Sequence, residues 1–192
     1  MESDPHYSEV LDFWFGSLET RGKARAEWFR KDAAFDAAIR RRFGVLHGAA
    51  ARHERESWRA SAPSLLALVI VLDQFSRNLY RGEGRAFAQD GHALDCAREA
   101  LDRGDDLGAL PVERQFLYLP FEHSENVDDQ DRAVELMGIL EAFEETRGVA
   151  EWAEKHRVII RRFGRFPHRN AALGRASTAA ERAFLAQPNS GF

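Results

Sequence analysis

The chain has 192 residues, a length that buries one core without help from disulfides or structural metals. Its 27 Lys and Arg against 31 Asp and Glu give a net charge of −4, which argues against a general binder of nucleic acids or anionic membranes. Apolar residues make up 44% of the chain and exclude disorder throughout, and the single cysteine, Cys96, excludes a disulfide framework. We therefore expect a single helical domain over residues 1–192, with loose ends at about residues 1–5 and 187–192.

Helical periodicity dominates the chain and predicts an all-α fold of about eight helices, whose short connections favour antiparallel packing. A short first helix ends at Gly16, and Asp32 is suited to cap the second. Ser61 and Pro63 begin the third helix. Between residues 65 and 72 this helix is apolar on every side, so we expect it to be central and covered on most faces.

The second half of the chain continues the helical pattern. Because Pro120 cannot donate to the carbonyl of Phe116, we expect a kink or break in the helix that contains it. The predicted helices here lie over residues 86–103, from Pro111 onward, over residues 128–145, over residues 149–163, and from Thr178.

The sequence shows no feature of export or membrane insertion. Its longest apolar run, residues 65–72, is far shorter than the ~20 residues that cross a bilayer, and no basic-then-apolar signal is present at the start. With the lone thiol, this predicts a cytoplasmic protein that binds neither a membrane nor nucleic acid. We expect Cys96 to be a small buried apolar residue.

The first of three polar segments, residues 72–82, continues the apolar third helix. Asp73, Arg77 and Arg81 fall at i, i+4 and i+8 and share one face if the helix persists, while Asn78 lies in the adjoining row. Since the helix they extend is buried, we expect this polar row to be at least partly buried.

The second polar segment, residues 116–125, ends in two carboxylates and a histidine. Glu122 and Glu125 share a helix face, and His123 points about 100° away from it. This spacing differs from the Glu-x-x-His and His-Glu-x-x-His arrangements of metal sites, so we expect no bound metal and no cofactor here.

The third polar segment, residues 161–170, sets arginines and a histidine among aromatic rings. Arg165, His168, Arg169 and Asn170 follow the helix-ending glycine in this segment. Arginine beside aromatic rings is typical of phosphate recognition, but the chain is acidic and the segment short. We favour a packed loop whose guanidiniums meet carboxylates of the first two segments. His156, on the apolar face of the preceding helix, is predicted to be a hydrogen-bonded core residue.

If the three segments meet, their charges nearly balance. A balanced cluster can satisfy itself, as a structural network requires, whereas a dedicated anion site keeps a positive surplus. The four arginines and three carboxylates concerned are Arg77, Arg81, Arg165, Arg169, Asp73, Glu122 and Glu125.

The three segments resemble signature blocks of a bacterial family, domain of unknown function 924. Two earlier blocks fit the same family, and the resemblance spans about residues 10–185. It implies an all-helical, tetratricopeptide-like αα-superhelix and no assigned reaction. The family pattern often has proline where this chain has Ser76, so the helix is expected to continue further here. The blocks are VLDFWFG (10–16), WFRKD (28–32), LDQFSRN (72–78), FLYLPFEHSE (116–125) and RFGRFPHRN (162–170).

Three functional hypotheses remain open from the sequence. The leading one is a binding module for a peptide or small anionic ligand. The second is a hydrolase-like enzyme for a small anionic substrate. In it His123 is the acid or base, oriented by a carboxylate such as Glu122, and His168 is a second proton donor. The third is a purely structural network. The predicted ligand-binding residues are Asp73, Arg77, Asn78, Glu125, Arg165, Arg169 and Asn170.

Overall fold

The fold is taken from a computed structural model of the chain, which describes residues 6–17, 19–188 and 191. The predicted loose ends therefore lie mostly outside the described residues, apart from residues 187, 188 and 191, which are exposed. The α-helices are α1 (Tyr7–Phe15), α2 (Ala33–Ala51), α3 (Ala62–Val69), α4 (Ser76–Leu79), α5 (Asp90–Asp102), α6 (Pro111–His123), α7 (Val127–Leu140), α8 (Val149–Phe163) and α9 (Ala179–Leu185).

Helices α3 and α4 are two parts of one rod, because the π-helical segment Ile70–Phe75 joins them without a break. Counted this way, the described part of the chain holds eight helices and no strand, which confirms the predicted all-α fold. The helix indeed continues through Ser76, whose hydroxyl donates to the carbonyl of Leu72.

The helix starts and stops predicted from capping residues are confirmed. Asp32 accepts hydrogen bonds from the backbone of the first turn of α2. Thr178 forms a capping box with Glu181 at the start of α9. Gly16 and Gly164 follow the last residues of α1 and α8, both with positive φ.

Three predicted boundaries differ from the structure. The fourth predicted helix begins at Asp90, after a short 3₁₀ turn over Gly84–Phe87. Helix α7 ends at Leu140, where the hydroxyl of Thr146 takes the carbonyl that a longer helix would have used. Helix α6 passes through Pro120 to His123, because the buried side chains around Pro120 hold the helix in place despite one missing hydrogen bond.

The predicted central helix lies in the core. Every residue from 65 to 72 is buried, and α3 packs against α1, α5 and α6, while α6, α7 and α8 pack in sequence. One apolar cluster extends from α1 to α8, and a smaller one joins Ile159, Ile160 and Phe166 near α9. Cys96 is fully buried as expected, and burial raises the pKa of its thiol to about 12. Within the described ranges, no helix combines the length and apolar character needed to cross a membrane.

Candidate functional site

A buried Asp–His pair lies where the central rod meets the end of α6. The π-helical segment directs Asp73 inward, where only 1% of its side chain is exposed. Its Oδ1 lies 2.7 Å from Nδ1 of His123 and 3.1 Å from Nη1 of Arg77, and Gln74 donates to Oδ2. The structure thus joins the first and second polar segments through their ionisable groups.

The electrostatic surroundings keep Asp73 ionised. Burial by itself would raise the pKa of the Asp73 carboxyl, but the positive Arg77 and the hydrogen bond from His123 outweigh it and place that pKa below its ordinary value. Burial, followed by Arg77, lowers the pKa of His123, while Asp73 acts in the opposite direction. His123 is therefore neutral at pH 7, and its Nδ1–H donates to the ionised Asp73.

The second nitrogen of His123 remains available for chemistry. Among the described residues no hydrogen bond reaches Nε2, and 13% of the side chain is exposed. With the proton on Nδ1, Nε2 carries the lone pair. A histidine oriented by a buried carboxylate and open at Nε2 has the arrangement of a general base.

A second carboxylate, Asp90, joins the third polar segment to the first. Nη1 and Nη2 of Arg77 donate to the two oxygens of Asp90 at 3.0 and 3.2 Å, and Nη1 of Arg169 donates to Oδ2 at 3.0 Å. Asp90 opens helix α5 and belongs to none of the three segments, so the sequence analysis missed it. Asp90 lies in the first turn of α5, where an acidic residue is favourable, but the predicted helix began at residue 86 and hid this signal.

The guanidinium of Arg169 is buried and its hydrogen bonding is incomplete among the described residues. It lies between the rings of Phe87 and Phe166, 4.6 and 4.4 Å from their centroids, and 7% of its side chain is exposed. Within the described residues its Nε has no hydrogen-bond partner. Burial and the neighbouring Arg77 lower the pKa of Arg169 to about 10. Arg169 therefore shares the carboxylate of Asp90 with Arg77.

Glu122 and His156 form a second acid–histidine pair beside the first. Nδ1 of His156 lies 2.9 Å from Oε1 of Glu122 and 2.9 Å from the carbonyl of Trp152, which confirms His156 as a hydrogen-bonded core residue. The rings of His156 and His123 are 6.3 Å apart. Glu122 thus pairs with His156, and Asp73 is the carboxylate that orients His123.

The remaining residues of the second and third segments hold the loop after α8. Glu125 accepts from the backbone of Phe166 and from Arg175, another partner that the sequence analysis missed. The ring of His168 lies 5.6 Å from that of Phe166. Burial, with Arg169 next in effect, lowers the pKa of His168 to about 4.

Three predicted ligand-binding residues bond to groups outside the cluster. Arg165 pairs with Glu181 at 2.6 Å, so its guanidinium holds α9. The amide of Asn170 donates to Ser177 at 3.1 Å. The amide of Asn78 donates at 2.7 Å to Asp36 of α2, which also binds Arg81. The rod ends at Leu79, so Arg81 lies in the turn beyond it and does not share a helix face with Asp73 and Arg77 as predicted.

The fold and this site define an all-helical protein whose central rod carries a buried Asp–His–Arg centre. A family model described as bacterial protein of unknown function (DUF924) matches residues 10–189, and the chain belongs to that family. The predicted resemblance is thereby confirmed. No curated protein matches the chain.

A solved structure of another protein has the same fold. The chain is similar to ATU0120 from Agrobacterium tumefaciens, a protein of unknown function, with 42% identity and a TM-score of 0.83. The match covers 94% of this chain and 96% of that one.

Proposed function

We propose that the protein is an acid–base enzyme that hydrolyses a small anionic ester, with His123 as the base. The observation that carries the proposal is the buried Asp73–His123 pair, in which Nε2 makes no hydrogen bond among the described residues and 13% of the His123 side chain is exposed. Nε2 takes a proton from water as the water oxygen bonds to the acyl or phosphoryl centre. The same proton then passes to the leaving oxygen as its bond breaks.

Arg169 supplies the contact for the anionic group of the substrate. Its guanidinium is buried, has one shared carboxylate partner and has a pKa shifted down to about 10. An anion beside it would offer a hydrogen-bond acceptor to its Nε, which has none among the described residues. Arg77, by contrast, is bound by both Asp73 and Asp90, which favours a positioning role.

This proposal combines two hypotheses left open by the sequence, anion binding and acid–base catalysis. It narrows the ligand from a peptide to a small anion, because several of the predicted ligand-binding side chains bond elsewhere within the chain. Those side chains hold the loops around the site.

The test compares para-nitrophenyl phosphate, an anionic ester, with para-nitrophenyl acetate, a neutral one. We expect His123→Gln to lower kcat for the phosphate by about 100-fold or more, the contribution of a general base. We expect Arg169→Gln to raise KM for the phosphate by about tenfold and to change KM for the acetate little. His6→Gln, at an exposed histidine outside the site, is the matched control and should leave both unchanged.

Binding of inorganic phosphate gives a second measurement. The C–H signal of the His123 ring should shift in NMR spectra on titration with phosphate, and Arg169→Gln should weaken that effect. The proposal is contradicted if His123→Gln is as active as the unmodified protein. It is equally contradicted if the protein neither hydrolyses these esters nor binds phosphate.

The alternative is a network that serves only stability, and the pairing of every carboxylate in the cluster favours it. His123→Gln separates the two because glutamine can still donate to Asp73. A catalytic role predicts lost activity with a free energy of unfolding changed by about 1 kcal/mol. A structural role predicts the same small change in stability, because the hydrogen bond to Asp73 is kept, and no activity in the unmodified protein.

A further inference from the structure

Two histidines and a glutamate come together between the end of α2 and the start of α5. Nδ1 of His53 lies 3.2 Å from Oε1 of Glu56, and Nε2 of His92 lies 3.0 Å from the same oxygen. The two imidazole rings stack with centroids 4.1 Å apart. All three donor atoms lie within 4.8 Å of one another.

His92 is the independent sign that this group is built for a ligand. Only 8% of its side chain is exposed, and within the described residues neither ring nitrogen makes a hydrogen bond. The Glu56 oxygen is near Nε2 but out of line with the ring N–H. When two donor atoms bind the same metal ion, each points at the ion and not at the other donor. The position of the Glu56 oxygen away from the N–H axis of His92 is consistent with such shared coordination.

Two of the three donor separations, those from each histidine to Glu56, match a small metal ion. Bonds of about 2.0–2.1 Å from zinc to nitrogen and oxygen place tetrahedral donors about 3.3 Å apart. The observed 3.0 and 3.2 Å are close to that value. Two imidazoles and one carboxylate suit zinc and related transition metals better than Mg²⁺ or Ca²⁺, which prefer oxygen donors.

A second layer of side chains fixes the glutamate. Nη1 of Arg59 donates at 3.0 Å to Oε2 of Glu56, the oxygen that does not face the histidines. Arg59 is itself bound by Glu99 at 2.6 Å. Outer partners of this kind orient the ligands of metal sites. His53 is placed by its left-handed backbone, φ 60°, the one non-glycine residue with positive φ in the described ranges.

We propose that His53, Glu56 and His92 bind a divalent transition-metal ion of the zinc class. Solvent has access to the site because His53 is 64% exposed. Three protein ligands leave a fourth position for water or a small ligand, as in open zinc sites. No motif in the sequence predicted this site, because position 92 lies far along the chain from positions 53 and 56 and matches no known ligand spacing.

The test is calorimetric titration of the full-length, tag-free protein with Zn²⁺. We expect one tight site per chain and a melting temperature that rises with Zn²⁺ concentration. His53→Ala, at the exposed ligand, and Glu56→Gln, of nearly the same shape, should each weaken Zn²⁺ binding at least about tenfold. Mg²⁺ should not compete.

Two further variants locate the site. His6→Ala, at an exposed histidine outside the group, and His123→Gln, in the Asp73 centre, should bind Zn²⁺ as the parent does. Unchanged affinity in both His53→Ala and Glu56→Gln overturns the proposal, as does loss of binding in His123→Gln. Because the readout is binding, the outcome is independent of the proposed hydrolase activity.

Discussion

At the scale of single residues, His47 shows how burial fixes the protonation of a side chain. Its Nε2 lies 2.8 Å from Oγ of Ser76, which itself donates to a backbone carbonyl, so Nε2–H is the donor. Nδ1 is buried and makes no hydrogen bond within the described residues. Burial lowers the pKa of His47 from 6.5 to about 4. The folded protein therefore holds His47 neutral where the unfolded chain would protonate it.

This shift makes the free energy of unfolding depend on pH. Between pH 6.5 and about 4 the unfolded state binds a proton at His47 that the folded state does not, so stability is lost as the pH falls through that range. The contribution is up to about 3 kcal/mol. In urea unfolding at a series of pH values, His47→Gln should lose less stability between pH 6.5 and 4 than the unmodified protein.

His168 has a similarly lowered pKa. In His47→Gln, the slope of the free energy of unfolding against pH should therefore be reduced and not abolished. Replacement of exposed His6 should leave the slope as it is. Equal slopes in His47→Gln and the unmodified protein would contradict the assignment.

At the scale of the helices, two glycines have opposite roles. Gly164 ends α8 with φ 68°, a left-handed conformation that other residues adopt at a cost, and it leads the chain toward Phe166 and the site. Gly138 lies inside α7, and a Cβ added there would meet no atom within 4 Å.

The two alanine substitutions should therefore act in opposite directions. Gly164→Ala should destabilise by about 1–2 kcal/mol, because alanine is strained in the left-handed region. Gly138→Ala should stabilise by about 0.5–1 kcal/mol, since alanine favours the helical backbone. Thermal or urea unfolding of both variants measures this, and the same sign for both would contradict the prediction.

The π-helical segment is the element that the sequence left unspecified. Periodicity predicted a continuous helix into the first polar segment, and this is confirmed. It did not predict that residues 70–75 are wound more widely than an α-helix, which changes the direction of each following side chain. Arg77 lies on the helical rod and stays in the cluster, whereas Arg81 follows the end of the rod at Leu79 and binds Asp36 of α2.

At the scale of the whole molecule, Asp90 holds distant parts of the chain together. It binds Arg77, which is 13 residues away, and Arg169, which is 79 residues away. Removing its charge would leave the nine-tenths buried guanidinium of Arg169 without a carboxylate. An uncompensated buried charge costs several kcal/mol.

We expect Asp90→Asn to lower the free energy of unfolding by roughly 3 kcal/mol. Asp95→Asn, on the same helix, is the matched control, because its side chain is 66% exposed and lies 3.6 Å from Arg98. Such an exposed pair contributes under about 1 kcal/mol. Urea unfolding of the two variants should show a larger loss of stability in Asp90→Asn. Equal losses of stability would show that Asp90 contributes no more than an exposed ion pair.

The sequence by itself determined the helices and the buried rod. Capping residues such as Asp32 and Thr178 act on neighbouring backbone groups, and the apolar run from 65 to 72 can only be satisfied by burial. These effects are local or depend on composition, so they can be read before the chain is folded. Asp73 and His123 were also predicted as candidate site residues from the sequence, because the segments that contain them adjoin apolar helices.

Only the tertiary structure decided which charges meet. Asp90, Arg175 and the group at His53 carry no motif, and Arg165 and Asn78 bond away from the cluster. An ion pair requires two atoms within about 4 Å, and that distance depends on how helices far apart in the chain pack together. Residue type and spacing along one helix do not contain that information.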